Sequence, residues 1–330
     1  MPREISYLEA IHEAMREEML RDERVFVMGE DIRSQLWSEY GLADEVGEGR
    51  VLETPISEAG FVGAAVGAAM TGMRPIVDMT IASLMYCAMD QFVSQAAKAR
   101  YLCGGQTSVP VVFRAGMMYG GSSASQHSDR PYPMFMCVPG IKVIVPATPY
   151  DAKGMLKAAI RDDDPVVCLE DVTAWSSKGH VPEDDYVVPL GLADVKREGT
   201  DVTIVSVAGA LGPTIRAADG LANDGISAEV IDVRSLVPMD YQAIVSSVRK
   251  TRRLVVADPA HATCSAASEI AASVAEEAFA ELLAPVVRVT MPDVQVPFSP
   301  ALEKLMLLTP ERIGEAVRHV LDWAPQKARS

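Results

Sequence analysis

Two α/β domains in series, each built on a parallel sheet, are the architecture that this 330-residue sequence predicts. Short runs rich in β-branched residues alternate with longer helix-like segments, which is typical of strand–helix–strand units. Continuous apolar strands such as VTIVSVA and RLVVA are typical of parallel sheets, because helices cover both faces of such a sheet. The alternation stops after Glu170 and starts again near Asp201, so the chain contains two such sets.

The first domain is predicted over residues 1–190, and its last part, from about residue 171, is a polar linker without sustained periodicity. The second domain is predicted over residues 191–330 and closes with the helix PERIGEAVRHVLDW. Because active sites of parallel sheets lie at the carboxyl ends of strands, functional residues are expected just after the apolar runs. In the first domain the strands and helices are predicted, in order, from RVFVMGED, GFVGAAVGAAMTG, RPIVDM, SLMYCAMDQFVSQAAKARYL, VPVVFRAG, KVIVPA, YDAKGMLKAAIRDDD and PVVCLE.

The composition excludes several classes of protein. A total of 45 acidic and 30 basic residues gives a formal net charge of −15, which would repel the phosphates of a nucleic acid. This surface suits a basic partner, or it simply keeps the chain soluble. No uncharged stretch is long enough to cross a bilayer, and the amino terminus has no apolar signal core. We therefore expect a cytoplasmic protein that acts on a small molecule and binds neither nucleic acid nor membrane.

Familiar catalytic and metal-binding motifs are missing. The sequence contains no GxGxxG, no P-loop, no GxSxG and no HExxH. Its five histidines have no metal-ligand spacing, and its five cysteines include no CxxC pair. Metal catalysis is therefore not visible in the sequence.

Five motifs, in the same order along the chain, resemble the β subunit of the thiamine-diphosphate-dependent 2-oxo acid dehydrogenases, their E1 component. They are TPISEAG, RPIVDM, AMDQFVSQAAKARYLCGGQ, QHS and PATPYDAKGMLKAAIRDDDPVVCLE. The similarity runs from about Tyr7 to Leu321. The family includes pyruvate, branched-chain 2-oxo acid and acetoin dehydrogenase β subunits. The resemblance implies a transketolase-like pyrimidine-binding domain followed by a transketolase C-terminal-like domain.

Glu58 is the first catalytic residue that the resemblance implies. Its carboxyl group would hydrogen-bond N1′ of the aminopyrimidine and favour the tautomer that removes the proton from C2 of the thiazolium. Ile56, Phe61 and Val62 would surround the carboxyl group and raise its pKa by desolvation, whereas a helix amino terminus would lower it. From the residues alone, Glu58 is better explained as a carboxylate that only decorates a helix amino terminus, where the helix dipole favours it.

His127, in the QHS motif, is the second implied catalytic residue, with a role in proton transfer and in reductive acylation of the lipoyl group. An exposed loop histidine is the alternative. Asp129 stands where relatives commonly have glutamine, and its charge would favour the imidazolium. Besides Glu58, the resemblance implies four residues that contact the cofactor: Ile56, Thr80, Leu84 and Tyr86. Relatives often place an aromatic ring at the position of Leu84, and Tyr86 offers such a ring. Core packing is the alternative explanation for Thr80 and Leu84.

A potassium site, formed mainly by backbone carbonyls, is a further implication. The alternative is that the run RDDDP is a solvated helix end. The implied ligands are Val111, Ala159, Ile160, Asp162 and Asp164.

The sequence also lacks the GDG motif that binds Mg²⁺ and the diphosphate in thiamine enzymes. The resemblance therefore implies a separate α subunit that carries this motif, an α2β2 heterotetramer, and a cofactor shared between α and β. The C-terminal domain is implied to dock the basic subunit-binding domain of an E2 lipoyl acyltransferase.

The predicted function is that of the β subunit of a heteromeric 2-oxo acid or acetoin dehydrogenase, which passes an acyl group to E2. One alternative is a carboligase that keeps the cofactor and transfers the acyl anion equivalent to an aldehyde or ketone without E2. Another, from a different class, is a noncatalytic α/β scaffold that binds a partner.

Overall fold

The computed structural model describes residues 3–324 and divides the chain into two compact units. The first unit contains the chain up to Leu190 and also Ser235–Pro238. The second contains Gly191–Arg234 and the chain from Met239 onward. The short return of the chain at Ser235 adds a strand to the first unit, a feature that the sequence pattern does not show. No helix among residues 3–324 is both long enough and apolar enough to cross a membrane.

The first unit is built around a seven-stranded sheet in the order β12-β6-β7-β5-β4-β2-β3, in which only the β12 pairing is antiparallel. A separate two-stranded antiparallel sheet joins β1 (Glu4–Ser6) to β8 (Lys178–His180). The strands of the large sheet are β2 (Val25–Gly29), β3 (Val51–Glu53), β4 (Arg74–Ile81), β5 (Val112–Met117), β6 (Lys142–Ile144), β7 (Val166–Asp171) and β12 (Ser235–Val237).

Six α-helices accompany this sheet. The first of them is stabilised by a cap at its amino terminus and by the packing of one apolar face. Ser6 caps it by accepting from the Glu9 amide at 3.2 Å, while the Glu9 carboxylate accepts from the Ser6 amide at 2.7 Å. Its buried side chains, among them Tyr7, Ile11 and Met15, join the core of the unit. The helices are α1 (Tyr7–Arg21), α2 (Leu42–Val46), α3 (Glu58–Met70), α4 (Ala97–Leu102), α5 (Tyr132–Met136) and α6 (Pro149–Arg161).

The second unit contains a five-stranded sheet in the order β14-β13-β10-β11-β9, parallel except at β9. Its inner strands are buried along their length, as a sheet covered on both faces requires. The strands are β9 (Asp194–Arg197), β10 (Val202–Ser206), β11 (Ala228–Asp232), β13 (Leu254–His261) and β14 (Val287–Met291). The helices are α7 (Leu211–Asn223), α8 (Tyr241–Thr251), α9 (Ala266–Ala278), α10 (Pro300–Glu303) and α11 (Pro310–Leu321).

Candidate cofactor site

Four neighbouring parallel strands of the first unit bring the candidate site together. In the sheet β3 lies beside β2, β2 beside β4, and β4 beside β5. Parallel strands end at the same edge of a sheet, so the segments that follow these four strands are neighbours. Glu58 follows β3, Glu30 follows β2, Thr80 lies at the end of β4, and His127 follows β5. The edge therefore gathers both residues predicted to be catalytic.

Glu58 is the first residue of α3, and its side chain is half-buried. Ser57 precedes the helix without a side-chain capping bond, and its carbonyl accepts from the amides of Gly60 at 2.9 Å and Phe61 at 3.0 Å. A carboxylate in the first turn interacts favourably with the helix dipole. Both explanations of Glu58 from the sequence thus agree with its position at the start of the helix.

Glu30 is a second carboxyl group at this edge, and it was not among the residues predicted from the sequence. Its side chain is buried, and Oε2 has no hydrogen-bond partner among the residues that the structure describes. Burial, together with the negative charges of Glu58 and Asp31, raises the pKa of Glu30. The signal was in the sequence, because the acidic pair Glu30-Asp31 directly follows the buried strand VFVMG.

Cys87 lies close to the same carboxyl groups. Burial, the carboxyl groups of Glu58 and Glu30, and hydrogen bonding toward Glu58 raise the pKa of this thiol. The Cys87 residue is nonetheless on the exposed surface. It lies on the 3₁₀ helix Ala82–Ala88, which follows β4 and packs against α3.

The 3₁₀ helix Ala82–Ala88 also carries the residues predicted to face the pyrimidine. Leu84 is half-buried, and Tyr86 is 38% exposed. Thr80, just before the helix, is buried and has a backbone φ of 54°, in the left-handed region that β-branched residues rarely adopt. The three predicted residues therefore lie on one corner at the end of β4.

The loop that carries His127 contacts this corner. The Asp129 amide donates to Ser83 Oγ at 3.3 Å, and burial together with the Asp129 charge raises the pKa of Tyr86 to about 12. His127 ends the 3₁₀ turn Ser125–His127 and is half-buried. The loop histidine is thus held at the same edge as Glu58, on the side of Tyr86.

The residues of the predicted apolar surround of Glu58 differ in exposure. Ile56 lies on the surface turn before α3 and is 82% exposed. Phe61 and Val62 are buried on the inner face of the helix. Their effect on the carboxyl group stays a prediction. The exposed side chain of Ile56 stays available for contact with a bound molecule.

A buried ion cluster lies beneath the site, and the sequence did not predict it either. The guanidinium of Arg114, on β5, donates to Asp78 Oδ2 at 3.0 Å and to Glu170 Oε1 at 2.8 Å, and it also pairs with Glu39 and binds Ser38 Oγ at 3.0 Å. All of these residues are buried. Burial, with the Glu39 charge, raises the pKa of Asp78, and burial raises the pKa of Glu170.

The residues predicted to bind K⁺ lie around the end of α6 and just before β5 and β7. The Arg74 guanidinium donates to the Ile160 carbonyl at 2.9 Å and to the Asp162 carbonyl at 2.5 Å. Lys142 Nζ donates to both carboxylate oxygens of Asp162, at 2.6 and 2.7 Å. Arg100 also pairs with Asp164, so three cationic side chains contact this corner, and the K⁺ site stays a prediction. The five residues in question are Val111, Ala159, Ile160, Asp162 and Asp164.

Side-chain metal ligands do not cluster in the part of the chain that the structure describes. Within residues 3–324, no group of three or more His, Cys, Asp or Glu side chains is arranged to hold a metal ion.

Comparisons with known proteins assign both units. Residues 3–174 match the pyrimidine-binding domain of transketolase, and residues 191–313 match the transketolase C-terminal domain. A solved structure described as "Split gene transketolase, inactive beta4 tetramer" superposes with a TM-score of 0.80 at 25% identity, over 96% of this chain and 98% of that one. The fold and the site edge thus define a subunit of the transketolase class.

Curated relatives narrow the assignment from the transketolase class to one family within it. The acetoin:2,6-dichlorophenolindophenol oxidoreductase subunit β of Bacillus subtilis (strain 168) is 46% identical, over 97% of this chain and 98% of the relative. The 2-oxoisovalerate dehydrogenase subunit β and the pyruvate dehydrogenase E1 component subunit β of the same organism are 41% and 40% identical, each over 97% of this chain and 99% of the relative. The chain belongs to the family of E1 β subunits of the thiamine-diphosphate-dependent 2-oxo acid and acetoin dehydrogenases.

Proposed function

We propose that this chain is the β subunit of a heteromeric thiamine-diphosphate-dependent dehydrogenase that is active only with an α subunit. Its substrate is a 2-oxo acid or acetoin, which the enzyme decarboxylates or cleaves before passing the acyl group to a lipoyl-bearing E2. The observation that carries the proposal is the placement of Glu58 at the start of α3, on the sheet edge shared by four parallel strands, with the buried carboxyl group of Glu30 close by.

The residues at this edge fit an aminopyrimidine ring. Glu58 is half-buried and offers a carboxyl group to a ring nitrogen, while Leu84 and the exposed faces of Ile56 and Tyr86 offer apolar contact. When bound, thiamine diphosphate supplies the nucleophilic carbon that attacks the substrate carbonyl. The side chains of this chain hold the ring and control its protons.

Glu58 holds a proton between its carboxyl oxygen and the ring nitrogen, which favours the protonation state of the ring that the reaction needs. Glu30 supports this role electrostatically. Burial and the charge of Glu58 raise the pKa of Glu30, so Glu30 takes up a proton more readily than an ordinary carboxyl group. His127, on the loop after β5, is proposed to move protons at the substrate oxygen.

The proposal includes two protein partners. A separate α subunit is proposed to contribute the GDG motif, the Mg²⁺ ion and the diphosphate site, in an α2β2 assembly. The second unit is proposed to dock E2. The relatives described above are all dehydrogenase or oxidoreductase subunits, so they give no support to a carboligase or to a noncatalytic scaffold.

The test is the replacement Glu58→Gln in the chain purified together with its α partner. We expect turnover to fall by at least about a hundredfold, the usual contribution of a positioned acid–base group. The rate at which the C2 proton of the cofactor exchanges with solvent, followed by nuclear magnetic resonance, should fall in parallel.

A matched control is Glu53→Gln, which removes an exposed carboxylate at the end of β3, five residues upstream on the same segment. This variant should retain turnover and proton exchange. Near-normal activity of Glu58→Gln would refute the proposed role, and turnover without transfer of the acyl group to a lipoyl domain would favour the carboligase.

A further inference from the structure

The backbone of Thr80 is strained, and one side chain holds it in place. Its φ of 54° is unfavourable for a β-branched residue, so the surrounding structure must impose this conformation. The Thr80 amide donates to Asp78 Oδ1 at 2.5 Å, and Asp78 is itself buried. Release of this hydrogen bond would let Thr80 relax toward an ordinary conformation.

Asp78 has little freedom of its own. Its second oxygen, Oδ2, accepts from Arg114 Nη1 at 3.0 Å, and Arg114 is fixed by Glu170 at 2.8 Å, by Glu39 and by Ser38. Arg114 is the shared donor to three buried carboxyl groups, so moving any one of them breaks a buried hydrogen bond. The cluster thus fixes the hydrogen bond to Thr80.

The strained residue stands where β4 gives way to the 3₁₀ helix Ala82–Ala88. The ladder between β4 and β5 shifts its register between Asp78 and Ile81, so the backbone departs from regular strand geometry at Thr80. The direction in which the 3₁₀ helix leaves the sheet is therefore decided at this residue, and with it the position of Leu84 and Tyr86.

We propose that Asp78, held by Arg114, is a positioning residue for the pyrimidine pocket, acting through the backbone of Thr80. This inference rests on the proposed function, because the pocket wall that Asp78 positions is the wall against which the cofactor would bind. Asp78 does not touch the cofactor.

The experiment compares Asp78→Ala with Asp78→Asn in the assembled α/β enzyme, by the Kd for thiamine diphosphate, by KM against kcat and by thermal melting. Alanine removes the acceptor for the Thr80 amide, so the Kd and KM for the cofactor should rise about tenfold, with a smaller change in kcat. Asparagine keeps an oxygen that can accept from this amide, but its NH2 group cannot accept from Arg114 Nη1, so it should recover part of the affinity.

A second pair of variants tests the route through Thr80. Glycine adopts positive φ without strain, so Asp78→Ala introduced into a Thr80→Gly chain should cost far less cofactor affinity than in the native chain. Equal losses in both backgrounds would overturn the proposal. If Asp78→Ala alone does not assemble with the α subunit, we expect the double variant to assemble. Failure of both variants would show that the cluster supports the whole unit, and this result would also overturn the proposal.

The matched control is Glu18→Ala. Glu18 is a buried carboxylate of the same unit, paired with Arg161 at 2.6 Å on the α1–α6 side of the sheet. Its loss should lower the melting temperature and leave the Kd for the cofactor unchanged. If the wild-type enzyme binds the cofactor and Asp78→Ala binds it with the same Kd, the proposal is refuted. The proposed function then still stands.

The chain alone gives a readout that does not depend on the cofactor. Cys87 lies on the 3₁₀ helix, so loosening of this helix in Asp78→Ala should speed its reaction with a thiol reagent several-fold, measured at Cys87 by peptide mass mapping. An unchanged rate of reaction at Cys87 would contradict the proposal. This readout does not depend on whether the proposed function is right.

Discussion

The replacement Gly29→Ala tests the close approach of β2 and β4 on which the site edge depends. Gly29 is the last residue of β2 and pairs with Asp78 of β4. A Cβ atom added at this position would lie 2.3 Å from the Asp78 backbone oxygen and 2.9 Å from Ile32 Cγ2. The first distance is about 1 Å shorter than a nonbonded carbon–oxygen contact, and the atom it meets is backbone and cannot rotate away.

The added methyl group must therefore separate the two strands. Overpacking of this kind costs about 1–3 kcal/mol, and a backbone neighbour places this case at the upper end. A loss of about 3 kcal/mol corresponds to a fall of roughly 6–12 °C in the melting temperature of a unit of this size. Calorimetry of the chain, with the transition of the first unit followed by near-ultraviolet circular dichroism, measures this shift.

The same chemical change has the opposite expected effect at Gly220. This residue lies in the interior of α7 and is exposed, and a Cβ atom added to it would meet no other atom within 4 Å. Gly220→Ala should stabilise the second unit by about 0.5–1 kcal/mol, because alanine is the better helix former. A Gly29→Ala chain that melts within about 1 °C of the wild type would refute the reasoning, since the shift is then below that of an ordinary surface change.

Two further predictions concern titrating groups at the site edge. The carboxyl group of Glu58 contributes to the raised pKa of the Cys87 thiol, so Glu58→Gln should lower that pKa and speed alkylation of Cys87 at mildly alkaline pH; an unchanged rate would argue that the two groups are apart. Tyr86 should titrate near its pKa of about 12, and Asp129→Asn should lower this value, measured by ultraviolet absorbance against Tyr86→Phe. Because the pKa is raised on folding, the stability that Tyr86 contributes is present below about pH 10 and lost as the pH rises toward about 12.

Much of the fold follows from local sequence pattern. The runs VTIVSVA and RPIVDM become β10 and β4, because short runs rich in β-branched and apolar residues favour strands that are buried on both faces. The strand Ser235–Val237 could not be predicted from local pattern, because three residues are too few to show a periodicity. In addition, this strand belongs to the first unit although it lies in the second half of the sequence.

Candidate site residues could be predicted from the sequence where they follow a strand, because active sites of parallel sheets lie at the carboxyl ends of strands. Glu58 and His127 stand in such positions, but the resemblance to a family is what marked them as catalytic, and their roles stay predictions. Arg114 was not found as a functional residue, because an arginine inside the run VVFRAG looks like the end of a strand, and its buried carboxyl partners come from three distant segments. Only the packed sheet brings these charges within hydrogen-bonding distance, which no local pattern records.

The exposure of the site edge bears on the need for a partner. A carboxyl group that must hold a proton against a ring nitrogen does so best when water is excluded, since water competes for the same hydrogen bond. In this chain the Glu58 side chain is half-buried, and two residues predicted to contact the pyrimidine are open to solvent, Ile56 at 82% and Tyr86 at 38% exposed. A flat pyrimidine ring alone would cover one face of these side chains and leave its own far face in water. A second protein surface is needed to close the site, and the proposed α subunit, which would bring the diphosphate and Mg²⁺ to the same edge, is the surface that can supply both.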